Sequence, residues 1–182
     1  MLYSYQAADV EKVGDTTSWK ALINPDKTKF DYDNKILSID YASGYKVGDV
    51  FKWIGTNTYW LIYLQALDED AYFRSEIRRC KHQIKWVDDS MLKSTWAYVK
   101  GPIETTVNFI QKNNISLDVP NWSIELYVAN DEDTKKLFKR YNRFMLNGIT
   151  WEVQVVDSIS AEGILQVNAK EYFTNPTLDN KE

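Results

Sequence analysis

Cysteine and histidine each occur once, as Cys80 and His82. A lone cysteine cannot close an internal disulfide, so the fold does not depend on oxidation and synthesis in the cytoplasm is expected. The same scarcity leaves a metal short of ligands, because any beyond these two would have to be carboxylates. The seven glycines are spread singly along the chain, which excludes a glycine-rich phosphate cradle and a dinucleotide fingerprint; serine-nucleophile motifs are absent as well. No apolar run approaches about 18 residues, and MLYSYQAADVEK carries no basic stretch ahead of an apolar core, so neither a membrane span nor a signal peptide is expected. Positive charge is also short. Lys and Arg number 22 against 26 Asp and Glu, a net charge of −4, whereas a nucleic-acid-binding surface usually shows an overall basic footprint.

Aromatic residues are plentiful. They make up 14% of the chain, with seven Trp and twelve Tyr, and rings with a polar handle are enriched in sheets and at protein interfaces. The 182 residues suit one β-rich domain over 34–173, an extended arm over 1–33 and a tail over 174–182. The arm is polar and broken by Gly14 and Pro25, with one short element near Trp19 to Ile23. Strand signals follow at Lys35–Asp40, Asp49–Ile54, Tyr59–Gln65, Tyr72–Val87, Thr95–Lys100, Ile115–Val119 and Trp122–Ala129. This spacing predicts a mainly β fold, an antiparallel barrel or sandwich.

One short covering helix is expected over 131–142. Asn130 is placed to cap it, Asp131, Glu132 and Asp133 complement the dipole at its start, and Leu137, Phe138 and Tyr141 form its apolar stripe. Asn147-Gly148 predicts a type I′ hairpin turn, because both positions need positive φ. After it, Ile149, Trp151, Val153 and Val155 are expected on one face, with Thr150, Glu152 and Gln154 on the other. Leu165, Val167 and Ala169 then alternate with Gln166, Asn168 and Lys170.

Within TYWLIYL, Tyr59, Leu61 and Tyr63 fall on one strand face and Trp60, Ile62 and Leu64 on the other, so both faces need cover. A second layer of the same domain or another subunit can supply it. Trp53, Tyr59, Trp60, Tyr63, Arg74, Arg78, Arg79 and Lys81 are the candidate interface residues. Together with Lys85, the basic members next to these rings also suit single-stranded nucleic acid, and the tryptophans suit a sugar-stacking platform. Cys80 and His82 share an expected strand face with Ile84 and Trp86, where a buried packing role outweighs a catalytic one. Three acidic groups remain. Asp131–Asp133 start the helix, Asp68–Asp70 suit a turn between strands, and Asp31 with Asp33 is the least explained. No catalytic, metal-binding or cofactor-binding residue is assigned, and no cofactor is expected.

DYDNKILSIDY, KVGDVFKW, TYWLIYLQ, AYFRSEIRRC and VKGPIET resemble segments of structural proteins encoded in the head-gene cluster of tailed bacteriophages, over roughly Asp31 to Phe173. RFMLNGITWEVQVVDSISAEGILQVNAKEY is similar to the closing hairpin and last strand of small β-barrel head-closure (stopper) proteins of the neck. The resemblance implies a non-enzymatic virion protein, assembled in the host cytoplasm. It would be a head–tail connector subunit forming a ring around the DNA channel. Its implied partners are copies of itself, a portal or adaptor protein on one side and a tail or further neck protein on the other. DNA would pass through the lumen without sequence-specific contact, and no membrane is implied. A capsid-decorating or tail-completion role is the alternative within the same class, and a carbohydrate-binding module the alternative outside it.

Overall fold

The computed structural model describes residues 7–26, 31–65, 72–110 and 116–172. Within these, the chain is mainly β, as expected, but its strands form two six-stranded antiparallel sheets. The first contains β1 (Ala8–Lys12), β2 (Ser18–Pro25), β3 (Asn34–Asp40), β4 (Val50–Trp53), β5 (Thr58–Gln65) and β6 (Tyr72–Cys80). It closes into a barrel in the order β1-β2-β3-β6-β5-β4. The extended arm expected over 1–33 is therefore corrected over 8–25, where β1 and β2 are staves of this barrel. Their alternation is short and largely polar. Val10 and Ala21 are fully buried beside Leu37, Ile39, Phe51 and Ile77, but each strand holds too few apolar residues to stand out among polar neighbours. The element near Trp19 to Ile23 is the middle of β2. Lys12 and Asp49 pair at 2.8 Å, tying β1 to the turn before β4.

The second sheet contains β7 (His82–Asp88), β8 (Met91–Ile110), β9 (Ser116–Ala129), β10 (Arg143–Leu146), β11 (Ile149–Asp157) and β12 (Ile164–Glu171). Its order is β10-β11-β12-β9-β8-β7, and its core includes Ile84, Leu126, Phe138, Phe144, Trp151, Leu165 and Val167. The strand expected over Tyr72–Val87 is two strands, divided at Lys81, because β6 pairs with β3 and β5 whereas β7 pairs with β8. The helix is also shorter than expected. α1 spans Glu132–Leu137 and is capped by Asp131, not Asn130; the Asp131 carboxylate accepts from the Thr134 N–H at 2.8 Å, and the Thr134 hydroxyl reaches back to the cap. Phe138 leaves helical geometry to enter the core, and Tyr141 adopts positive φ, so the expected stripe does not continue.

The Asn147-Gly148 hairpin forms as expected, with φ of 53° and 76° between paired β10 and β11. Beyond it the alternation fails in two places. A bulge between Val153 and Val155 turns Val155 outward, and Thr150 is buried while Ile149 is exposed. On β12, Leu165, Val167 and Ala169 face the core as expected.

The two sheets meet at a backbone contact. A Cβ on Gly48 would lie 1.9 Å from the Gly163 carbonyl oxygen, and a Cβ on Gly163 would lie 2.2 Å from that of Val47. Both glycines have positive φ, 91° and 79°, so a side chain there meets a clash and an unfavourable backbone. Gly163→Ala is expected to lower stability by more than about 3 kcal/mol, measured by urea denaturation. Gly44→Ala, at φ of 68° with nothing within 4 Å, should cost about 1 kcal/mol. Equal losses would contradict a backbone seam.

Candidate functional site

The aromatic strand β5 has both faces covered within one chain. Trp60 and Ile62 lie inside the first barrel, while Tyr59, Leu61 and Tyr63 join Cys80, Trp96, Tyr98, Tyr127 and Ile164 between the sheets. Tyr59 stacks on Trp96 with centroids 3.8 Å apart and planes at 14°. Tyr63 meets Tyr127 edge-on at 5.2 Å. Arg78 lies over Tyr63 at 4.7 Å and Tyr98 at 5.7 Å, and pairs with Glu76 at 3.5 Å; cation–π contacts strengthen as water is excluded. A bulge between Ile62 and Leu64 releases Leu64 to solvent.

The remaining candidate interface residues scatter. Trp53 is half-buried, tilted against Trp60. Arg79 and Lys81 both pair with Asp33, and Arg74 is half-buried and engaged on β6. Lys85 lies on the other sheet. These cations do not make one basic stripe, which removes the main feature behind the single-stranded nucleic-acid reading. The sugar-platform reading weakens on the same ground. Trp60 and Trp151 are buried, Trp96 is covered by Tyr59, and Trp122 is the most exposed indole at 37%.

Cys80 and His82 do not share a strand face as expected, because Cys80 ends β6 and His82 begins β7. Burial pushes the Cys80 thiol far above its ordinary range, which opposes thiolate chemistry. Burial, then the nearby Lys81 charge, holds His82 below its ordinary 6.5. The Asp31-x-Asp33 pair is also accounted for. Asp31 accepts from the Asp33 N–H at 2.9 Å and the Asn34 amide at 2.6 Å, forming a turn, and Asp33 anchors the linker between the sheets through Lys81. Asp133 pairs with Lys93 at 2.7 Å. Asp68–Asp70 lie outside the described residues. Among the described residues no group of three metal-ligating side chains converges.

Two features had no residue motif to reveal them. The first is a ribbon: β12 covers β9 only over Ser123–Ala129, and β7 covers β8 only over Met91–Ala97. Yet β8 and β9 stay paired out to Ile110 and Ser116. From Ile103 outward the ribbon has no third strand among the described residues and extends about 24 Å at the usual rise. Strand-forming residues in PIETTVNFI carried that signal, obscured by the Gly-Pro break. The second is a cleft of ≈ 600 Å³ between the edge strands β7 and β10, walled on one side by α1. It depends on how two distant segments end, which local pattern does not report.

The Cys80 and His82 environments give two expected outcomes. Ellman's reagent should leave the native thiol unmodified and titrate one equivalent after denaturation; rapid native reaction would contradict burial. The unfolded chain takes a proton at His82 as pH falls through 6.5, whereas the folded chain resists until lower pH. His82 therefore makes stability drop as pH falls below about 6.5, levelling off beneath the folded pKa. His82→Gln should flatten that part of a pH–urea midpoint curve.

Residues 82–170 match the model of the YomX C-terminal domain, a phage-associated family of the Bacillus phage SPBeta region. No curated protein and no solved structure gives a significant match. The matched segment starts on the first residue of β7 and ends within β12, just under half of the chain. It begins just after the linker between the sheets and takes in the second sheet up to the penultimate residue of β12, so this half of the molecule is similar to a phage-associated domain, consistent with a phage protein.

Proposed function

We propose that this chain is a non-enzymatic structural protein of a tailed-phage virion. In this reading it is a ring-forming head–tail connector subunit that joins the portal side to the tail side around the DNA channel. The β8–β9 ribbon carries the proposal. Two strands without a third are marginally stable in water, so a ribbon extending past its sheet calls for a surface to lie on, and a neighbouring subunit supplies one. Similarity of the second sheet to a phage-associated family supports the setting. The net charge of −4 supports a lumen that lets DNA slide, since like charge opposes adhesion to the phosphate backbone.

The internal packing of the aromatic residues shifts the expected subunit contact. Tyr59, Trp60, Tyr63 and Arg78 are committed to one chain, so contact with neighbours falls to the ribbon and the sheet edges. The test is to excise 103–121 and close the strands with Asn-Gly. The variant is expected to keep its thermal midpoint within a few degrees, because the excised pairs lie beyond the part of the sheet where β12 and β7 flank β9 and β8. Introduced into the encoding phage, it should fail to enter particles, leaving DNA-filled heads without tails. Normal yields of infectious particles would overturn the ribbon's role in assembly. Immunogold label on the wild-type protein found away from the neck would overturn the connector position.

A further inference from the structure

The two edges of the β8–β9 ribbon are not alike. Its pairs run from Ile103↔Ser123 to Ile110↔Ser116, with Thr106 opposite Pro120. Along an antiparallel ladder, pairs that exchange two hydrogen bonds alternate with pairs whose N–H and C=O groups point away from each other. Proline has no N–H to exchange, so Thr106↔Pro120 is a pair of the second kind. The alternation then fixes the others. Glu104, Thr106, Asn108 and Ile110 turn their main-chain groups to the outer edge of β8, and Ser116, Asp118, Pro120 and Trp122 turn theirs to the outer edge of β9.

Pro120 therefore interrupts the outer edge of β9, and the acidic Asp118 stands two places away in sequence. Proline and charge are the usual guards against unwanted strand pairing. The outer edge of β8 lacks this protection. Ile103–Ile110 reads IETTVNFI, with one charge at Glu104, no proline and a majority of β-branched residues. β7 stops covering β8 at Ala97, so this edge is open among the described residues. An open edge of strand-forming residues is a template for another strand.

We infer that the outer edge of β8 pairs with the same edge of a second copy of this chain, antiparallel about a two-fold axis. Such an edge is its own complement. In the register that uses its whole length, Glu104 pairs with the partner's Ile110 and Thr106 with the partner's Asn108, giving about eight main-chain hydrogen bonds. Val107 lies at the axis and faces the partner's Val107 in a pair that exchanges none. The two ribbons become one sheet in the order β9-β8-β8-β9, which passes the three strands that independent stability needs. Both outer edges of that sheet are β9, interrupted by Pro120, so it stops at two copies instead of growing. This pairing of an open edge with a guarded one favours a second copy over a foreign strand. The inference rests on the ribbon as a subunit contact, as proposed above, but not on the connector position. A two-fold contact closes at two copies, so a ring built from such pairs uses a further contact beside it.

The test reads the whole chain in solution by sedimentation velocity, up to about 100 μM. The wild type is expected to dimerise. Thr106→Pro copies onto β8 the gap that Pro120 makes on β9 and spares the bonds between the two strands; it should weaken the dimer at least about tenfold. Thr106→Val keeps the N–H and should leave it unchanged. Val107→Cys places two thiols where the Cα atoms of a non-bonded pair lie about 4.5 Å apart, within disulfide range. Mild oxidation should therefore cross-link this variant into dimers and leave Val119→Cys, on β9, uncross-linked; buried Cys80 stays out of the reaction. The cross-linking pair decides the matter even if Thr106→Pro fails to fold. A monomeric wild type, an assembly that a folded Thr106→Pro leaves intact, or no cross-link through position 107 would overturn the inference. Cross-linked dimers together with immunogold label away from the neck would support it and remove only the connector position. Label at the neck with no cross-link would remove the inference and leave that position standing.

Discussion

The contact between Gly48 and Gly163 sets the distance at which the two sheets meet. Side chains at these positions would hold the loop before β4 away from the loop before β12, because a Cβ on either would fall within 2.2 Å of opposing backbone. Their positive φ values then orient two main-chain bonds. The Gly48 N–H donates to the Ile62 carbonyl, and the Gly163 carbonyl accepts from the Asn130 N–H, both at 2.9 Å. Each loop is thereby fastened to its own sheet while touching the other. Leu61, Tyr127 and Ile164 can close over that contact only at this separation, and all are buried.

The seam also explains the aromatic excess. A closed six-stranded barrel uses the inward face of each strand for its own core, leaving the outward face of β5 to be covered by something else. Tyr59, Leu61 and Tyr63 on that face meet Trp96, Tyr98 and Tyr127 of the second sheet. Rings suit this place because each buries a large area while a hydroxyl or nitrogen keeps a polar partner. Arg78 fits for a related reason, since its guanidinium lies over Tyr63 and Tyr98 while pairing with Glu76.

Local patterns in the sequence were legible where one short-range rule decided the outcome. Asn147-Gly148 is a hairpin turn because two adjacent residues must accept positive φ, and Leu165, Val167 and Ala169 alternate inward along an unbroken strand. The expectation that both faces of TYWLIYL be covered holds over Tyr59–Tyr63, with Leu64 turned out to solvent. Where the pattern misled, a non-local event intervened. Nothing in RRCKHQIKW reports that Lys81 leaves one sheet and His82 enters another, because strand propensity continues across the break. The bulges at Val153 and Ile62 reverse the faces that simple alternation assigns to Val155 and Leu64. β1 and β2 are too short and polar to be distinguished from an arm until the barrel closes around Val10 and Ala21. The cleft needed β7 and β10 to be brought together from positions far apart in the chain.

Among the described residues, free strand edges belong to the second sheet alone. The first barrel is closed, so it offers no sheet edge. The second sheet keeps the edges of β7 and β10 and sends out the β8–β9 ribbon, all within the segment similar to a phage-associated domain. Recognition through such features depends mainly on main-chain groups, which every residue except proline carries in full. Cys80 ends the closed barrel as a buried packing residue, and His82, one linker residue later, begins the second sheet.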